Sequence, residues 1–193
     1  VTTVRRPAAD GLAVRAVTLS DPLCATMLRE LEHEYVTRYG PIASDEMARY
    51  PDAEFAPPDG LLLLLLRDGE PVAGGAYRRY DGHSAELKRI WTHSGHRRSG
   101  LARRIVQELE RAAAARGYRR VYLTTGPRQP EARALYLAAG YTPLFDTAAD
   151  PETIGPLPFE KHLGRGAPRA ATTTASTVTA AGPGAAEPGR TRP

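Results

Sequence analysis

The chain has 193 residues, a formal net charge of +4, 41% hydrophobic and 25% charged residues, and one cysteine, Cys24. That length holds one domain with a proper core plus a tail, and the lone cysteine excludes an intrachain disulfide framework and a Cys-rich metal site while fitting a reducing compartment. Arg165, Arg169, Arg190 and Arg192 stand against Glu187 at the end of the chain, so that stretch carries +3 of the +4, and the remaining +1 argues against a nucleic-acid-binding domain.

Residues 1–10 read as a loose start without the apolar core of a signal peptide. Residues 12–19 alternate partly and are rich in β-branched side chains, which predicts a strand. Asp21 and Pro22 look like an N-cap and a first helical residue; Leu23, Met27, Leu28, Leu31 and Tyr35 follow at helical spacing, and Gly40 ends the helix. Residues 41–59 have no clear period, although a helical turn around 44–49 fits. Asp45, Glu46, Asp52, Glu54 and Asp59 make this segment acidic, with Arg49 its only base. It reads as a solvated loop or as a pocket wall that prefers cationic amines.

The run Leu61–Leu66 predicts a buried strand; a membrane helix needs ~20 apolar residues, so no membrane association is expected. A cytoplasmic protein follows as the default. Asp68-Gly69 signals a hairpin turn, residues 71–80 a partner strand, and Gly74-Gly75 a bulge or close backbone contact within it. Asp81-Gly82 predicts a second turn of the same type, and residues 85–92 the next strand of an antiparallel meander. Residues 100–116 predict an amphipathic helix with Leu101, Ile105, Leu109 and Ala113 on one face, ended by Gly117. Residues 120–125 predict a strand, so strand, crossover helix and strand imply a parallel pair. Pro130 starts a further helix closed by Gly140, residues 141–145 are a strand candidate, and residues 158–163 read as the last strand. From 164 onward the composition falls to Ala, Thr, Gly, Pro and Arg, so residues 1–163 form the predicted domain and 164–193 a predicted disordered tail. Arginine dominates over lysine and alanine is abundant, which suggests a GC-rich bacterial genome.

The loop from His96 to Ala102 joins a predicted strand to a predicted helix. Its backbone N–H groups lack helical partners and, with the positive end of the helix dipole, suit a phosphate or pyrophosphate. Gly100 and Ala102 permit close approach, Arg97 and Arg98 add charge, and Ser99 adds a hydroxyl. A P-loop is excluded because no Gly-Lys-Ser/Thr follows, and a dinucleotide fingerprint needs three glycines near a first strand.

The loop reads Arg97-x-x-Gly100-x-Ala102, which resembles the acyl-CoA pyrophosphate loop of the GNAT N-acetyltransferase superfamily. A second motif, Ala-x-x-Leu-Tyr-x-x-x-Gly-Tyr ending at Tyr141, resembles a later helix of the same family, and the order of predicted elements agrees over about residues 10–163. The resemblance implies an α+β GNAT fold: a mixed central sheet, antiparallel meander plus a parallel pair at the acyl-CoA site, flanked by helices. It implies acetyl-CoA as co-substrate, with pantetheine held by Ile90, Trp91 and Thr92, and pyrophosphate by Arg97, Arg98, Ser99, Gly100, Leu101 and Ala102. Gln129 falls where the family often places a pantetheine-binding Asn. Arg98 stands where glycine is common in the family, and Ser94 where proline is.

The implied chemistry is acetyl transfer to a primary amine of a small molecule or protein by direct attack. An amine of pKa ~10 is about one part in a thousand neutral at pH 7, a cost near ~4 kcal/mol, so a base is needed. By resemblance Glu86 is that base; the other reading is a surface glutamate paired with Lys88 or a nearby arginine. A backbone N–H near Thr92 would serve the oxyanion. Tyr136 matches the family tyrosine that protonates the leaving thiolate, and it also fits a packed helical aromatic. No metal is expected. Two other functions remain open: a non-catalytic acyl-CoA sensor, and a nucleic-acid module using Arg97, Arg98, Arg103, Arg104, Arg119 and Arg120, which the near-neutral domain disfavours. A homodimer is compatible with the sequence.

Overall fold

The computed structural model describes residues 4–5, 11–41 and 49–164. The turn expected around 44–49 lies mostly outside these residues, as does the expected tail from 165 onward. The elements in chain order are β1 (Val4–Arg5), β2 (Leu12–Val17), α1 (Ala25–Tyr39), β3 (Leu61–Arg67), β4 (Glu70–Arg79), β5 (Ser84–Thr92), α2 (Leu101–Ala115), β6 (Arg120–Thr125), α3 (Pro130–Ala138), β7 (Thr142–Pro143), α4 (Pro151–Ile154) and β8 (Leu157–His162). The strands form one sheet in the order β1-β2-β3-β4-β5-β6-β8-β7. Every neighbouring pair is antiparallel except β5–β6, which is parallel across the α2 crossover.

The leucine run shows why the sheet is covered on both sides. Leu61, Leu63 and Leu65 enter one core with Ile105, Leu109 and Phe159, while Leu62, Leu64 and Leu66 enter another with Met27, Leu31 and Trp91. A strand's side chains alternate faces, so an unbroken apolar run needs a helix on each. Here α2 covers one face and α1 the other.

Two predicted features take a different form. Asp81-Gly82 does turn the chain, but residues 80–83 make a longer loop in which Asp81 Oδ1 accepts from the His83 amide at 2.8 Å. The strand candidate at 141–145 shrinks to Thr142–Pro143, beyond which the Leu144 amide still bonds the Pro158 carbonyl at 2.9 Å.

The irregularity expected at Gly74-Gly75 is present, but its extra residue lies across the ladder. Gly74 pairs with Trp91 and Ala76 with Lys88, so two steps on β4 oppose three on β5. Arg89 absorbs the bulge with φ 57°. Gly75 is needed for packing: a Cβ there would lie 2.6 Å from Ile90 Cδ1 and 2.9 Å from Leu109 Cδ1. The bulge and the short parallel ladder set up the site. β5 and β6 pair only over Ser84–Arg120, Ala85–Val121 and Glu86–Tyr122. Beyond Glu86, β5 runs on to Thr92 and β6 to Thr125 without pairing, so the sheet opens into a seam.

Candidate functional site

The seam lies in a cleft of about 980 Å³. Its floor is residues 87–92 of β5 and 124–125 of β6; the α2 start and α3 close one end, and Glu34, Tyr35 and Tyr39 of α1 line it from the other face of the sheet. Of the predicted residues, Glu86, Ile90, Trp91, Thr92, Arg97, Arg98, Gly100, Leu101, Ala102, Gln129 and Tyr136 all line this one space, and Ser99 does not.

The loop at the end of the seam is held by its own side chains. His93 Nδ1 accepts from the Gly95 amide at 3.0 Å, and the Ser99 hydroxyl donates to the His96 carbonyl. Ser99 therefore braces the turn rather than facing the cleft. Arg98 has φ 61° and Gly100 φ 79°, so two left-handed residues aim the chain into α2. The loop reaches Gly100 with no side chain capping the helix. The first helical bond runs from the Arg104 amide to the Gly100 carbonyl, so the amides of Leu101, Ala102 and Arg103 precede it and face the cleft's end. Arg98 and Arg103 add positive charge there. Arg97 also lines the cleft, where it pairs with Glu34 of α1 at 2.9 Å.

On β5, Trp91 is buried and its Nε1 donates to Glu30 at 2.9 Å. The same carboxylate accepts from the amide and hydroxyl of Ser94, at 3.0 and 2.9 Å. Burial alone would raise the Glu30 pKa; the bonds from Trp91 and Ser94 outweigh it and hold the carboxyl below its ordinary value. Thr92 presents a buried Oγ1 that has no hydrogen-bond partner among the described residues. A buried unpaired hydroxyl at the mouth of an open β-edge suits a ligand with amide groups, the chemistry of a pantetheine arm.

Gln129 lines the cleft, and its carboxamide is bonded to neighbouring elements. Its Oε1 accepts from the Gly126 amide and the Thr125 hydroxyl, each at 3.0 Å, and its Nε2 donates to Glu34 at 3.4 Å. Both ends of the carboxamide hold the β6–α3 loop and α1. Tyr136, from α3, is buried against Tyr141 and Phe159, with ring centroids 5.6 and 5.8 Å away. Burial first, and the Tyr35 phenol second, push its pKa far above the ordinary phenol value.

Glu86 is not on the surface. It is 4% exposed, at the last paired position of the parallel ladder. Arg78 lies 2.7 Å from one carboxylate oxygen and Lys88 3.1 Å from the other. The pairing with Lys88 that the sequence allowed is therefore real, but it is buried and shared with Arg78.

Sequence reasoning missed the part played by α1. Glu30 and Glu34 grip the loop after β5. Arg38 bonds the Arg128 carbonyl and Glu131, and the Tyr39 hydroxyl accepts from the Arg128 amide at 3.1 Å. Glu30, Glu34 and Arg38 are spaced i, i+4, i+8, which puts them on one helix face. That spacing was the available signal, and it is equally that of ordinary surface charge.

The acetyltransferase (GNAT) family model matches residues 26–141 of the chain. An uncharacterized N-acetyltransferase, YsnE of Bacillus subtilis (strain 168), is 33% identical over 93 residues; the match covers 45% of this chain and spans 62% of that relative. The GNAT domain of S. lividans PAT is similar in structure, with a TM-score of 0.62, 20% identity and coverage of 84% of this chain and 97% of that one. A GNAT family acetyltransferase from Elizabethkingia anophelis, solved with acetyl-CoA bound, has a TM-score of 0.53 at 15% identity, covering 80% of this chain and 99% of that one. The structural likenesses carry the fold, and the family model spans more than half of the sequence, including the loop, α2, β6 and α3. The chain belongs to the GNAT acetyltransferase family.

Proposed function

We propose that the protein transfers the acetyl group of acetyl-CoA to a primary amine, of a small molecule or a protein, by direct attack. The observation that carries this reading is the seam: the unpaired edge of β5 leads straight to the amide-rich start of α2. A chain of amides ending in a pyrophosphate has the same two parts in the same order. The edge from Ile90 to Thr92 pairs with the amides, and the N–H groups around Gly100 to Arg103 hold the pyrophosphate with Arg98 nearby. The acetyl-CoA seen in the Elizabethkingia relative supports the same choice of co-substrate.

Within that frame Tyr136 is the proton donor. A phenol is protonated at neutral pH, and Tyr136 lines the cleft, so it carries a proton to give to the leaving thiolate. Glu86 accepts the amine proton, directly or through a water. Arg78 and Lys88, 2.7 and 3.1 Å from its two oxygens, hold the carboxylate in place where the parallel ladder ends. Calorimetric titration with acetyl-CoA, combined with free-thiol release over a panel of amines, tests the reading. Millimolar acetyl-CoA without binding removes the co-substrate. Binding without thiol release from any amine makes the protein an acyl-CoA sensor.

A further inference from the structure

Among the described residues, the end of the cleft beyond the seam carries more positive than negative side chains. Arg49, Arg78, Lys88 and Arg89 line it, with Glu86 as the carboxylate among them. Tyr50 gathers three of these cations: its ring centroid is 4.0 Å from Arg78 Cζ, 5.1 Å from Lys88 Nζ and 5.6 Å from Arg49 Cζ. Arg89, at the bulge, is buried with its guanidinium 4.3 Å from the Phe55 ring centroid. Of the acids that made this segment read as a wall for cationic amines, Asp45 and Glu46 lie outside the described residues, and Asp52, Glu54 and Asp59 do not line the cleft. Glu54 pairs with Arg78 at 2.8 Å and Asp59 pairs with Arg79. From the described part of this segment the cleft receives Arg49, Tyr50 and Phe55.

We propose that the acceptor is a small amine that also carries a carboxylate, received by Arg49, Arg78, Lys88 and Arg89 at the Tyr50 end of the cleft. This rests on the acetyltransferase reading. A guanidinium fork and an ammonium both suit a carboxylate, and a ring face beneath them keeps the cations in place. The same wall repels a polyamine. It also lowers the pKa of a bound ammonium, which raises the fraction of neutral amine able to attack. The carboxylate thus directs the molecule while the cations around it ready its amine.

The test uses amino acids and their carboxamides, matched pairs that differ at the carboxylate, with an aminophosphonate and a polyamine as further arms. Thiol release from acetyl-CoA gives kcat/KM, and titration into protein saturated with CoA gives affinity without turnover. The carboxylate member should exceed its carboxamide at least tenfold in both measurements. Lys88→Met should shrink that ratio, and Lys88→Arg should restore most of it. Equal or better use of carboxamides, or a polyamine as the best acceptor, overturns the proposal on the unmodified protein alone. A tenfold preference for the phosphonate overturns the choice of carboxylate. Carboxylate-selective binding with no thiol release from any compound overturns the transferase reading and leaves the anion subsite standing.

Discussion

Tyr136 and Gly100 show how differently two residues of one site depend on their side chains. Tyr136 acts through its hydroxyl, so Tyr136→Phe should lower turnover about 100-fold. The dissociation constant for acetyl-CoA should stay within about threefold, and unchanged turnover would remove the acid role. Gly100 acts through its backbone at φ 79°, where a β-branched side chain is strained by about 1–2 kcal/mol. Gly100→Val should weaken acetyl-CoA at least a hundredfold by turning the α2 amides out of line, whereas Arg98→Ala should weaken it less than about fivefold. Equal losses in calorimetry would show that charge, not the amides, holds the ligand. The positions of these residues were legible because a phosphate loop is a local object, readable from Arg97 to Ala102. Glu86 was less legible: its partner Arg78 comes from β4, and nothing in the β5 sequence announces that contact. Of the two readings of the acidic segment, the pairing of Glu54 with Arg78 and of Asp59 with Arg79 agrees with the solvated one for these two residues, and both partners come from β4.

At the scale of an element, α1 is the part whose role sequence did not disclose. It reads as a helix packing Met27 and Leu31, and it does that. Its other face holds the loop after β5 through Glu30 and Glu34 and the loop before α3 through Arg38 and Tyr39. Glu30→Gln removes a charged acceptor of three hydrogen bonds, and should destabilise the fold by about 1 kcal/mol in urea unfolding at pH 7. The folded pKa of Glu30 lies below its ordinary 4.5, so this stabilisation is present above about pH 4.5 and is lost as the pH falls through the lowered folded value. The gap between the two proteins should therefore narrow from pH 7 toward pH 3; a gap that widens would assign the stabilisation elsewhere. The bulge has a similar history. Gly74-Gly75 marks it in β4, but the extra residue sits in β5 at Arg89, because register belongs to a pair of strands and is written in neither alone.

For the whole molecule, one leucine run serves two cores, and that was legible because an apolar strand of that length has no exposed face to spare. Leu63→Ala and Leu64→Ala remove equal volume from opposite sides of the sheet, and each should cost about 2–5 kcal/mol in a single cooperative transition. Leu64 packs with Met27 beneath α1, so its loss should also weaken acetyl-CoA binding more than the loss of Leu63; the reverse order would mean that α1 does not govern the cleft. The two-sided attachment of α1 has a further consequence. Among the described residues it ties both lips of the seam through side chains of one rigid helix, which gives the slot a set width. A docking molecule need not prise two strands apart, and most of the order lost on binding is its own. Association should then be fast; the amides that β5 bonds to β4 and β6 bonds to β8 should exchange almost as slowly before binding as after it, and only the seam-facing amides should gain protection.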